Sequence, residues 1–171
     1  GDTADALEKV NTSLQFNANN HLAMGLKALA LANSGQTKEA QDYIFACLEQ
    51  YPLSYPLHCA RWMIEPSDEA RESLLRVTGR RGINGSLLAG WLLSIGQKQA
   101  AKEVLEVLDC QEALPMLWRA SLSDDANKRQ RLIAEAERCH VRKVRFPNTL
   151  DEVQMLQTLS DSAFARYLLG C

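Results

Sequence analysis

Long apolar runs are missing from this sequence. No uninterrupted hydrophobic stretch approaches the ~20 residues that a helix needs to span a bilayer, so no membrane partner is expected. A strong charge of either sign is missing too: 19 Lys plus Arg stand against 21 Asp plus Glu, for a net charge of −2. That balance is too small to steer the whole chain onto nucleic acid or anionic lipid. The opening residues, Gly1-Asp2-Thr3-Ala4-Asp5, are acidic where a secretory leader would be basic. With Gly in place of Met at its start, the chain reads as a piece of a longer protein. Cysteine appears five times, at 47, 59, 110, 139 and 171, with no C-x-x-C pair. An odd number at such wide spacing makes neither a disulfide framework nor a zinc ribbon. Scattered free thiols fit a reducing compartment, and a cytoplasmic location is the expectation. What is present is ordinary globular material, 46% hydrophobic and 23% charged, which excludes intrinsic disorder.

The strongest positive signal is self-similarity. Gly1-Asp2-Thr3-Ala4-Asp5-Ala6, Gly35-Gln36-Thr37-Lys38-Glu39-Ala40 and Gly96-Gln97-Lys98-Gln99-Ala100-Ala101 share a glycine, a polar turn and an alanine five residues on. A degraded copy, Glu65-Pro66-Ser67-Asp68-Glu69-Ala70, replaces the glycine turn with a proline that can start a helix. The alanines at 6, 40, 70 and 101 are 34, 30 and 31 residues apart, a regularity that independent helices of a bundle have no reason to share. Between them lie two kinds of helical segment. Residues 20–33, 55–64, 83–95 and 112–122 are apolar on most sides and read as inner helices with several neighbours. Residues 37–51 and 97–108 carry one apolar stripe each, Ala40, Ile44, Cys47, Leu48 and Tyr51 in the first and Ala101, Val104, Leu105 and Leu108 in the second, and read as outer helices. Pro52, Pro56, Pro66 and Pro115 fall between helices or at their starts, where a missing N–H costs little.

These residues resemble the tetratricopeptide repeat, in which a glycine, a short polar turn and a small residue announce the second helix. The match is best from Gly35 to Pro52, with Ala28 and Leu31 at the small and large positions of the first helix, Ala40 and Cys47 at the small positions of the second, and Pro52 closing the unit. The resemblance runs over residues 1–122. It implies an all-α fold: a right-handed α-solenoid of antiparallel helix pairs, about five irregular units by the 34-residue period. The whole chain, 1–171, is expected to form one helical repeat domain, regular over 1–109 and irregular over 110–171. Asp124 or Asp125 can cap a helix over 124–139. Residues 139–148 alternate apolar and basic side chains up to Pro147 and read as extended. A helix follows over 150–159, and residues 164–171 resemble the opening helix of a further unit, with Leu169-Gly170 like the family's Leu-Gly pair. The Phe146-Pro147 region is also similar to a segment in tetratricopeptide arrays of large bacterial proteins that carry β-rich domains of unknown function.

No catalytic constellation emerges. Ser13, Ser54, Ser86 and Ser121 lack the G-x-S-x-G elbow, and the carboxylates are dispersed. The loop Gly79-Arg80-Arg81-Gly82-Ile83-Asn84-Gly85-Ser86 has glycines and two cations that an anion could use, which makes Arg80 and Arg81 candidate anion ligands. It matches no phosphate-binding motif, and an inter-repeat turn capped by Asn84 or Ser86 is the favoured reading. His58-Cys59 and Cys139-His140 tempt toward zinc. Adjacent residues on a helix diverge by about 100°, so neither pair can bite one ion without irregular backbone, and no metal or cofactor is expected. Lys128, Arg129, Arg131, Arg138, Arg142, Lys143 and Arg145 form a basic stretch. Phe146 is its only aromatic, so a solvated helix face is the simpler reading and nucleic acid an unfavoured one.

The expected function is therefore that of a non-enzymatic scaffold whose stacked helices read a peptide or dock a neighbouring domain of the parent chain. The inner helices offer Leu22 and Leu29, then Tyr55 and Trp62, then Leu93, then Trp118, as an apolar contact surface. The Lys and Asn of a carboxylate clamp are absent from those faces. Trp62 is the foremost candidate hot spot. A second copy of the chain is another possible occupant. The alternative is an accessory helical domain of a larger enzyme, one acting on carbohydrate among the options.

Overall fold

The computed structural model describes residues 3–79, 82–108, 111–140 and 146–170. Among them are eleven helices and no strand. Two compact units emerge, Gly1–Gly79 and Arg80–Cys171.

The first unit holds α1 (Thr3–Phe16), α2 (His21–Asn33), α3 (Thr37–Gln50), α4 (Tyr55–Ile64) and α5 (Asp68–Thr78). Each helix packs on the next, and α2 also packs on α4. The turn between α2 and α3 shows how the sequence dictates this. Gly35 takes the left-handed conformation, φ +84°, which only glycine enters without strain. Its N–H reaches the Ala32 carbonyl at 3.0 Å and that of Gln36 reaches Leu31 at 3.0 Å, the paired bonds of a Schellman motif. The chain is thereby returned within three residues, and the stripe of α3 falls against α2. Ala28, Ala40, Leu57, Ala60, Ala70 and Leu74 are fully buried in the resulting core. Ser67 accepts a hydrogen bond from the Ala70 N–H at 3.2 Å, so the unit without a glycine starts its helix by a side-chain cap.

The second unit holds α6 (Gly82–Ser94), α7 (Lys98–Leu108), α8 (Ala113–Ser121), α9 (Ala126–His140), α10 (Leu150–Gln157) and α11 (Ala163–Leu169). Gly96, φ +77°, repeats the Schellman turn, with Gln97 N–H on the Leu92 carbonyl at 2.8 Å. Here α6 packs on α7 and α8, and α8 on α9. Asp125 is the residue that starts α9, its Oδ1 accepting from Asn127 and Lys128 N–H at 2.8 and 3.1 Å.

Two expectations need correction. Helix α9 runs through Cys139 to His140, so the start of the stretch read as extended is helical, while residues 141–145 lie outside the described residues. Asn84 and Ser86 do not cap a helix, because α6 already begins at Gly82. Burial of Leu88, Ala89 and Leu92 stabilises α6 despite the two glycines of its first turn.

Helix α10 departs from simple stacking. It packs on α8 and reaches back to α6, where Asp151 sits so close to Gly90 that a Cβ there would lie 2.9 Å from the Asp151 carboxylate. No helix among the described residues is long and apolar enough to cross a membrane.

Candidate functional site

Two four-residue turns, 34 positions apart, build an open cleft in the first unit. In Asn17-Ala18-Asn19-Asn20 the Asn20 N–H returns to the Asn17 carbonyl at 3.1 Å, and in Tyr51-Pro52-Leu53-Ser54 the Ser54 N–H returns to Tyr51 at 3.1 Å. Asn20 and Ser54 then stand at the same place, immediately before α2 and α4. Their side chains behave differently. Asn20 Oδ1 accepts the Ala23 N–H at 3.1 Å, whereas the Ser54 hydroxyl makes no cap and is buried without a partner.

The two turns are tied together. Tyr51 donates its hydroxyl to Asn19 Oδ1 at 2.6 Å, and its ring lies 4.4 Å from that of His21. His58, one turn into α4, holds the Pro52 carbonyl at 3.0 Å through Nε2. Between these anchors is a cleft of about 590 Å³, lined by residues 17, 19–22 and 51–56. Apolar side chains stand open at it: Leu53 is 81% exposed and Leu22 42%. Phe16, one residue before the lining begins, is 88% exposed. Its volume falls within the ~300–1,000 Å³ range of ligand clefts.

The sequence-designated contact residues separate into groups. Leu22 and Tyr55 line this cleft. Trp62 is half-buried further along α4, and Leu29 is buried in the core. Leu93 and Trp118 lie in the second unit, on a cavity of about 330 Å³ that α10 closes with Asp151, Gln154 and Met155. The face of α6 and α8 on which a foreign segment was expected thus carries a helix of the same chain. Hydroxyls around that cavity turn back on their own helices, Ser94 to Trp91, Ser121 to Trp118 and Thr158 to Met155, all at 2.7–2.8 Å.

Other reactive groups are quiet. Burial pushes the Cys59 thiol up to about 12 and raises that of Cys47, so both remain protonated and poorly nucleophilic. Among the described residues no cluster of three or more His, Cys, Asp or Glu is placed to hold a metal ion. In the basic stretch Lys128 pairs with Glu106 at 3.1 Å, and Arg129 reaches the Thr158 carbonyl at 2.8 Å and Asp161 at 3.3 Å. Arg80, Arg81, Arg142, Lys143 and Arg145 lie outside the described residues.

The Asn20 and Ser54 pair escaped sequence reading, which followed the glycine turns. Its signal was nonetheless present: both are cap-type residues at the 34-residue period. No protein-family model matches the chain.

Proposed function

We propose that this chain is a non-catalytic protein-interaction module, a tetratricopeptide-like right-handed solenoid of antiparallel helix pairs that binds an extended segment of another protein or of its parent chain. The observation that carries the reading is the cleft at the start of α2 and α4, with the exposed Leu22 and Leu53 among its lining residues. Exposed apolar side chains gathered at a concavity mark contact surfaces more often than isolated ones do. Tyr55 and the half-buried Trp62 extend the contact along α4. The α6 and α8 face contributes less, because α10 already covers it.

Selection of a displayed random-peptide library on the immobilised protein tests this. Selected peptides should carry apolar residues and lose at least ten-fold in affinity on Leu53→Asp. That change should leave the melting midpoint unaltered, since Leu53 makes little of the core. Failure to enrich any peptide, or equal binding to Leu53→Asp, would refute the module reading.

A further inference from the structure

Helix α10 carries an acid that its own capping does not use. Thr149 Oγ1 accepts the Glu152 N–H at 3.2 Å and the Glu152 carboxylate accepts the Asn148 N–H at 2.9 Å, so those two side chains close the start of the helix. Asp151, in the same first turn, has no hydrogen bond or ion pair among the described residues. Its carboxylate stands at the wall of a cavity instead. Asp151 Oδ2 lies 2.9 Å from where a Cβ on Gly90 would be, and both residues line the cavity of about 330 Å³ between α6, α8 and α10.

The rest of that wall suits a cation on an apolar stem. Leu93, Trp118, Leu122 and Met155 supply apolar surface, and Asp151 is the one charged residue among the described residues that line the cavity. The Ser94, Ser121 and Thr158 hydroxyls donate to carbonyls of their own helices at 2.7–2.8 Å, so what they still offer a guest is an oxygen lone pair. Arg129, the cation near the far end of α10, is already held by the Thr158 carbonyl at 2.8 Å and by Asp161 at 3.3 Å. The volume is at the small end of the ~300–1,000 Å³ range of ligand pockets, which fits one side chain or one small molecule. The carboxylate also discriminates between cations. One of its oxygens is packed against Gly90, which leaves the other to make the main contact. A guanidinium gains most by engaging both oxygens in parallel, whereas an ammonium is a compact point charge with three donors.

We infer that this cavity binds a primary alkylammonium group, its charge on the Asp151 carboxylate and its stem against Trp118, Leu122 and Met155. A lysine side chain of a partner protein and a free alkylamine carry that same chemistry. The site belongs to the second unit and does not rest on the cleft at α2 and α4.

Four probes decide it, each titrated into the ¹⁵N-labelled intact chain and followed by amide shifts: n-pentylamine, n-pentanol, acetyl-Ala-Lys-Ala-amide and acetyl-Ala-Arg-Ala-amide. Pentylammonium, the lysyl peptide or both should perturb residues 90–94, 118–122 and 151–155, and the tighter of the two identifies a free amine or a protein lysine as the source. Pentanol has the stem without the charge and should bind about ten-fold more weakly, the loss expected for a charge-assisted hydrogen bond. The arginyl peptide should bind more weakly than the lysyl one. Asp151→Asn removes the charge at constant size. It should lose about ten-fold in affinity for the ammonium and none for pentanol, a split that damage to the cavity would not produce. Equal binding of pentanol and pentylamine by the wild-type chain would overturn the inference without recourse to any variant. Undiminished ammonium binding by Asp151→Asn, or an equal loss of both probes, would overturn it as well. So would arginine binding as tightly as lysine, shifts confined to other residues, or silence from both amines.

Discussion

His58 is the residue at which pH should reach this fold. Its ring is buried, its Nε2 donates to Pro52, and its Nδ1 is buried without a partner. Burial lowers its pKa below the ordinary 6.5, the Pro52 hydrogen bond opposes that, and Arg61 and Arg76 add to the lowering. The sign follows. Below pH 6.5 the unfolded chain takes up a proton that the folded chain refuses, so stability is lost as pH falls from that point. Melting midpoints should drop between about pH 8 and pH 5 in wild type, and His58→Gln should flatten that slope. Asp124, held down by Lys102 and Lys98, and Asp125, held down by the Lys128 and Asn127 N–H groups, are depressed below 3.8 and act only at lower pH. An unchanged slope in His58→Gln would remove His58 as the cause. Residue by residue, what the sequence concealed is direction. Ser54 and Asn20 are both cap-type residues in one register, but only packing shows that one caps its helix and the other leaves its hydroxyl buried without a partner.

At the scale of the element, the alanine and glycine register was legible because it is steric. Ala40, Ala70 and Ala101 are fully buried, each at a place where a second helix leaves no room for more. Ala101→Asp should therefore cost at least about 2 kcal/mol, combining overlap with a buried unpaired carboxylate. Thermal melting by circular dichroism should show a midpoint lower by roughly 10 °C for a unit of this size. An unchanged midpoint would mean that α7 is misplaced. Helix bounds agree with the periodicity within about two residues for α2, α3, α4 and α7, since their stripes and caps coincide. The alternation read over residues 139–148 misled at its start, where the chain is still helical as far as His140. The position of α10 was not legible at all. Its contact with α6 depends on Gly90 having no side chain, and in sequence that glycine looks like any other weak point in a helix.

For the molecule as a whole, local pattern foretold helices and short returns but carried little about how far cooperative packing extends. Repeats of one supersecondary unit bury their stripes only against neighbours, so the sequence by itself is equally compatible with one long array and with shorter blocks. Residues Gly1–Gly79 form a compact unit with their own core, from Val10 on α1 to Leu74 on α5. They end on a residue suited to stop a helix: Gly79 at the C-cap of α5 has φ +59°. Arg61 on α4 pairs with Glu69 on α5 at 2.9 Å and lies over the Phe45 ring of α3 at 4.9 Å, joining its last three helices. Expressed alone, residues 1–79 should fold. A chain of 79 residues unfolding as one body carries an enthalpy of about 55 kcal/mol at its midpoint, from ~0.7 kcal/mol per residue. Calorimetry should return that value both from the area of the transition and from its sharpness. A broad transition, with a van't Hoff enthalpy well below the calorimetric one, would show that helices α1 to α5 melt piecemeal and that the first unit is not a cooperative body.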